Sequence, residues 1–160
     1  MKEYKRLGDL RIGDNAPGFD LPSSDGGKIS FQDLLGKGPI VLYFYPSDDT
    51  PGCTKEACSF RDQYEDFTDA GATVIGISSD SLDSHRRFVK KHNLPFTLLS
   101  DADDEVRKLY NVPKTFGFIP GRVTFVIDRS GRIRYMFSSQ MMAEEHVKRT
   151  LKIIEGMRSP

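Results

Sequence analysis

An unbroken apolar run, Ile40-Val41-Leu42-Tyr43-Phe44-Tyr45, stops at Pro46. Within a few residues the chain reads Thr50-Pro51-Gly52-Cys53-Thr54-Lys55-Glu56-Ala57-Cys58. The run is short, β-branched and aromatic, which predicts a buried strand. Beyond Cys58 the residues Phe60, Tyr64 and Phe67 recur at helical spacing. The chain must therefore pass from a buried strand into a helix here, and both of its cysteines lie in the handover.

The start of that helix is fixed locally. Thr50 is a good N-cap, and Pro51 suits the first helical position, where its missing N–H would be unpaired anyway. Gly52 and Cys53 then fall in the first turn. Backbone N–H groups there have no intrahelical partner, and the helix dipole gives them positive potential. A thiolate at Cys53 is stabilised by such a place, so the thiol is expected to ionise below the free value of about 8.5. Gly52 leaves room for a small molecule to approach the sulfur.

Cys58 follows at an awkward distance. Five helical residues turn the chain through about 500°, which leaves the two side chains roughly 140° apart and their Cα atoms about 8.7 Å apart. A disulfide needs less than about 7 Å. The two cysteines cannot bond while both are helical, so any bond between them requires the first turns to unwind. This predicts a cycle with a folded helix for attack and a locally opened one for disulfide formation. A static structural staple is the bland alternative, but closing so short a loop gains little entropy.

The rest of the chain supplies an α/β pattern. Ser24-Asp25-Gly26-Gly27 is a turn between two extended pieces, a hairpin near the N-terminus. Residues 1–12 read as a lead-in that docks or frays. After the strand at 39–45 come a helix at about 51–70, stopped by Gly71, and a second β-branched run, Thr73 to Ser78. A helix from Ser81 to Asn93, a short strand at Pro95–Leu99 and a short helix from Asp103 to Tyr110 follow. Val123–Asp128 and Ile133–Phe137 flank the turn Arg129-Ser130-Gly131, and a last helix runs from about Ala143 to Glu155. This order predicts a mixed sheet with helices on both faces. His85, His92 and His146 sit among polar residues and are expected to be solvated. Glu56 reads as a surface helix residue, Phe44 and Tyr45 as strand core.

At 160 residues the chain suits one domain with a proper core. Lys+Arg and Asp+Glu are both 23, a balance that argues against general nucleic-acid or polybasic membrane binding. No apolar run approaches the roughly 20 residues of a membrane helix, and the first residues do not read as a secretory signal. Two cysteines without a nearby histidine or second cysteine pair fall short of a zinc set.

Pro46, Thr50 and Cys53 match the Pro-x-x-x-Thr-x-x-Cys signature of the peroxiredoxins. The wider stretch, Phe44-Tyr45-Pro46 through Glu56-Ala57-Cys58-Ser59-Phe60-Arg61-Asp62, resembles the peroxiredoxin Q group, also called bacterioferritin comigratory protein. The resemblance spans about Gly13 to Leu151 and includes the cysteine spacing. Ile119 before Pro120-Gly121-Arg122 is similar to the plant and cyanobacterial side of that group.

The resemblance implies a single thioredoxin-like domain over 1–160, with an N-terminal β-hairpin addition. It implies a thiol-dependent peroxidase acting on hydrogen peroxide and organic hydroperoxides. Cys53 would form a sulfenic acid and then an intramolecular disulfide with Cys58, reduced by thioredoxin or a similar dithiol. Arg122, by itself an ordinary strand-end charge, is by resemblance the residue that stabilises the Cys53 thiolate and orients the peroxide. Val123 stands where the family has a small polar residue. Thr50 would contact the peroxide, cap the helix by accepting from the Cys53 N–H, or do both. Pro46 would shield the sulfur, and Gln140 would approach from the last loop. No metal or organic cofactor is implied. A monomer is expected, in the cytoplasm of a bacterium or, alternatively, as the mature form of a chloroplast protein. Competing readings are a thiol–disulfide oxidoreductase, which lacks its usual Cys-x-x-Cys spacing here, a redox sensor, and a copper carrier, for which no histidine sits in a ligand motif.

Overall fold

The computed structural model describes residues 2–115, 117, 119–138 and 142–157. The N-terminal lead-in docks. Lys2–Tyr4 (β1) pairs antiparallel with the last strand of the chain, and Arg6–Leu7 (β2) with Leu10–Arg11 (β3) makes a small hairpin. Asp20–Pro22 (β4) and Lys28–Ser30 (β5) form the predicted hairpin, and Phe31–Leu34 (α1) adds one helical turn.

The apolar run becomes Ile40–Phe44 (β6), all of it buried. The predicted long helix is two helices, Pro51–Asp62 (α2) and Tyr64–Asp69 (α3), because Gln63 (φ −106°, ψ 11°) leaves the helical region between them. Phe60 and Phe67 enter the same core cluster. Their spacing in sequence is the same for a straight helix and a bent one, so it did not reveal the bend. Thr73–Ser78 (β7), Leu82–His92 (α4), Thr97–Ser100 (β8) and Glu105–Leu109 (α5) follow. Lys114–Thr115 (β9) and Ile119–Pro120 (β10) pair as a short ribbon. Val123–Ile127 (β11), Ile133–Ser138 (β12) and Ala143–Gly156 (α6) complete the chain.

Six strands form one mixed sheet in the order β1-β12-β11-β6-β7-β8. Strands β6, β7 and β8 run parallel, joined by helical crossovers, while β11 returns antiparallel beside β6. Successive residues of β6 point to opposite faces. Val41, Tyr43 and Tyr45 meet a core built with Cys53, Phe60, Phe67, Phe88 and Val147 from α2, α3, α4 and α6. Ile40, Leu42 and Phe44 meet the other core, with Phe31, Val106 and Tyr110 from α1, α5 and its end, and Leu7 and Leu10 from the N-terminal hairpin. Both faces of the sheet are covered, as the thioredoxin-like reading expects. Among the described residues no helix is long and apolar enough to cross a membrane.

The ring of Tyr43 stacks on Phe60 at 4.7 Å between centroids. It also lies over Gly76, its partner on β7. A Cβ at Gly76 would fall 2.8 Å from both the Tyr43 ring and the Leu98 side chain. Gly76→Ala is therefore expected to keep the fold but lose about 1–3 kcal/mol through overpacking. A lower urea midpoint at unchanged slope would bear this out, and wild-type stability would refute it.

Candidate active site

Strand β6 ends at the sheet's carboxyl edge and the chain turns sharply. Asp49 takes a left-handed conformation (φ 61°), which a short polar side chain tolerates. Thr50 is extended, Pro51 is the first helical residue, and the Thr50 carbonyl accepts the first helical bond from Thr54 N–H at 2.9 Å. The Thr50 hydroxyl does not cap the helix as expected. It donates backward to the Ser47 carbonyl at 2.9 Å, because the turn at Asp49 brings that oxygen within reach. The first-turn N–H groups thus have no side-chain cap. Pro46, half-buried, stands between β6 and this turn.

Cys53 is the third residue of α2 and is 2% exposed. Arg122, immediately before β11, is also buried and donates from Nη2 to Cys53 Sγ at 3.4 Å. Its Nη1 donates to Glu56 Oε1 at 2.5 Å. Glu56 is one turn beyond Cys53 on the same helix face, so one guanidinium reaches both. Glu56 is fully buried, which corrects the expectation of a surface residue. Burial pushes its carboxyl up to about 7, against the pull of the Arg122 charge and hydrogen bond. Burial also works against the charge on Arg122, but Glu56 and Cys53 outweigh it and hold the guanidinium ionised. Val123 begins β11 fully buried, so the position after Arg122 belongs to the core here. A cleft of about 170 Å³ reaches Arg122 between Pro113, Lys114 and Ser138.

Arg107 holds this corner together and was not singled out from sequence. Its Nη1 donates to the Gly121 carbonyl at 2.8 Å and its Nη2 to the Tyr45 carbonyl at 2.7 Å. It thereby ties the approach to Arg122 to the end of β6. The available signal was its place beside Val106 in a short helix with a buried face.

Cys58 lies further along α2, half-buried, and both cysteines are free thiols. Helix α2 is continuous from Pro51 to Asp62, so the two are helical together and cannot bond without unwinding.

The profile of the AhpC/TSA family matches residues 12–136. The chain belongs to that family. It is 50% identical over 151 residues to "Peroxiredoxin Q, chloroplastic" of Triticum aestivum, covering 94% of this chain and 69% of that one. Among solved structures, Peroxidoxin BcpB from Mycobacterium tuberculosis superposes with a TM-score of 0.86 at 36% identity, covering 94% of this chain and 99% of that one. The Xanthomonas campestris bacterioferritin comigratory protein gives 0.82 at 27% identity, covering 88% and 92%. The peroxiredoxin Q resemblance read from the motif therefore holds, and the chain is an oxidoreductase of the thiol-dependent peroxidase type.

In this member of the family the loop after β6 is anchored by buried polar groups. Asp48 accepts from Tyr45 Oη at 2.6 Å and Ser84 Oγ at 2.8 Å, and pairs with His85 Nδ1 at 2.8 Å. Burial alone would raise the Asp48 carboxyl, but the hydrogen bonds from His85, Tyr45 and Ser84 hold it below its ordinary range. The Asp48 N–H donates to Asp80 at 2.8 Å, and His85 Nε2 meets the Leu99 carbonyl at 3.0 Å. Among the described residues Asp48, Asp80 and His85 are the three whose ligand atoms approach within 4.8 Å, and those atoms are engaged with one another and with the loop.

The histidines are not solvated. His85 and His146 are fully buried and His92 is half-buried. Burial lowers His146 to about 3, helped by the Arg122 charge, so it is neutral; its Nε2 pairs with the Thr124 hydroxyl. The missed signal was positional: His85 and His92 flank Phe88 at helical spacing, and His146 shares a stripe with Ala143 and Thr150. Gln140 lies outside the described residues.

Glu56 generates a pH prediction. Its carboxyl is raised in the fold from 4.5 to about 7, so the folded state holds a proton that the unfolded state has lost between those values. Its contribution is complete below about pH 4.5 and is lost as pH rises through about 7. Glu56→Gln should flatten the pH dependence of the melting temperature across this window. An unchanged slope would contradict the assignment.

Proposed function

We propose that the chain reduces hydrogen peroxide and organic hydroperoxides through Cys53, and that Cys58 resolves the oxidised enzyme. The observation that carries this reading is the Arg122 Nη2 contact to Cys53 Sγ, 3.4 Å, at an uncapped helix N-terminus. The attacking form of a cysteine is the thiolate, and this sulfur has a guanidinium donor and open first-turn N–H groups around it. The thiolate sulfur attacks one peroxide oxygen in line, the O–O bond breaks, and the departing oxygen leaves as water or alcohol after taking a proton. Cys53 is left as sulfenic acid.

Arg122 Nε is buried without an acceptor among the described residues. A peroxide oxygen would satisfy it, and charge building on the departing oxygen would strengthen that bond. Thr50 keeps its hydroxyl lone pairs while donating to Ser47, so it can accept from a protonated peroxide oxygen. Pro46 shields the sulfur from bulk water. No metal enters the reaction.

Sulfenic acid carries no charge for Arg122 to hold. The first turn of α2 then opens, Cys58 attacks Cys53, and a disulfide forms. Cys58, the more exposed of the two, borders a groove of about 330 Å³ with Lys55 and Lys148 at its sides, where an external dithiol such as thioredoxin can reach it. The proposed unit is one thioredoxin-like domain over 1–160 acting as a monomer, since the resolving thiol lies on the same helix. Peroxide as substrate is also supported by the Xanthomonas campestris bacterioferritin comigratory protein, which is described as having alkyl peroxide reduction activity. The chloroplast alternative gains support over the bacterial cytoplasm from the plant relatives, whose names place them there.

Cys53→Ser should abolish thioredoxin-coupled peroxide consumption. Cys58→Ser should complete one turnover and stall at a trappable sulfenic acid. Arg122→Met should lower the rate constant for peroxide by about 10²–10³-fold, the scale for losing one donor to developing charge. Sustained turnover in the Cys53 variant would overturn the reading. Disulfide reduction without peroxide consumption would favour the oxidoreductase alternative.

A further inference from the structure

Cys58 has a partner of its own. Its Sγ lies 3.8 Å from Nδ1 of His92, the last residue of α4. The other ring nitrogen, Nε2, is buried with no partner among the described residues. Any proton that His92 exchanges within the protein therefore passes at Nδ1, to or from Cys58.

The contact is braced by neighbours of both residues. Arg61 donates from Nη1 to the His92 carbonyl at 2.8 Å. The His92 ring stands edge-on to Phe88 at 5.1 Å between centroids. Phe60, buried, stacks on Tyr43 and meets Phe96 edge-on. The part of α2 that carries Cys58 is thus tied to α4 and the core. The first turn is tied instead to Arg122 through Cys53, and that tie weakens when the sulfur becomes a neutral sulfenic acid. On this arrangement, opening of the first turn would bring Cys53 toward a Cys58 still held against His92.

We infer that His92 is a catalytic residue of the disulfide step, taking the Cys58 thiol proton at Nδ1 and returning it to the departing hydroxide. The inference rests on the peroxidase reading above. Cys58 S–H gives its proton to Nδ1, and the thiolate attacks Sγ of the Cys53 sulfenic acid. The S–S bond forms as the S–O bond breaks, and the hydroxide leaves with the proton from His92 as water. The Cys58 sulfur is oxidised and the Cys53 sulfur reduced in the same step, with the peroxide already consumed as the oxidant.

Other charges face this thiol. Lys55, Arg61 and Asp62 come from α2, and Glu144 and Lys148 from α6 across the groove. Side chains of these types keep fixed charge between pH 6 and 9 (roughly the range between carboxylate and lysine titration). A His92 effect is therefore separable from theirs by its pH dependence.

The first test uses the Cys53→Ser protein, in which Cys58 is the sole cysteine, and follows alkylation by iodoacetamide from pH 6 to 9. Adding His92→Phe keeps a ring in place without its nitrogens. The expected result is alkylation slowed on the order of tenfold at pH 7, with the two profiles converging near pH 9, above the ordinary cysteine value of about 8.5. Superimposable profiles, or an equal slowing at every pH, would overturn the inference. The second test follows the full chain by rapid quench after one equivalent of hydrogen peroxide. His92→Phe should slow disulfide formation relative to sulfenic acid formation at neutral pH, with recovery at pH 9; a slowing that persists at pH 9 would count against proton transfer. If the two-cysteine protein forms no sulfenic acid at all, the peroxidase reading fails, and the alkylation profiles still decide the role of His92.

Discussion

A buried guanidinium between two groups that can carry negative charge is the constraint from which the rest of this structure follows. Arg122 is 3% exposed and touches Cys53 and Glu56. An unpaired buried cation costs several kcal/mol, so its partners must be held in place. Helix α2 does this by putting Cys53 and Glu56 one turn apart on the face turned to the sheet. The antiparallel strand β11 does it from the other side, delivering Arg122 next to the end of β6. Arg107 then fixes the spacing between those two strand ends through two backbone carbonyls.

The surroundings divide into parts that hold and parts that release. The loop from Pro46 to Thr50 is held by Asp48, whose carboxylate gathers Tyr45, Ser84 and His85 in the interior. The second half of α2 is held by Phe60 and Arg61. The first turn between them has no side-chain cap and depends on the Arg122 contacts. In the proposed cycle, oxidation of Cys53 would act on this uncapped turn of the helix. On that proposal the sulfur would be shut away for attack and would reach Cys58 afterwards.

Much of this was legible in the sequence. The apolar run of β6 and the Thr50-Pro51 helix start each have a local cause and formed where expected, and Gly71 follows the end of α3, although the helix read at 51–70 breaks at Gln63. The five-residue separation of the cysteines, with ordinary helix geometry, already required unwinding. What stayed hidden depended on partners distant in sequence. Glu56 looks like any helix glutamate until Arg122, from another strand, meets it. His85 and His146 were judged by polar neighbours along the chain, although their helical stripe faced the sheet. The Thr50 hydroxyl was assigned to the cap because the left-handed turn at Asp49 that redirects it has no strong sequence signal.

The most direct measurement is stoichiometric. The reduced protein receives one equivalent of hydrogen peroxide, free thiols are counted with time, and intact mass is taken at the end. The account predicts loss of both thiols within seconds and a monomer lighter by two hydrogens. Loss at the slow rate of an ordinary thiol, or a mass gained as oxygen without disulfide, would contradict it.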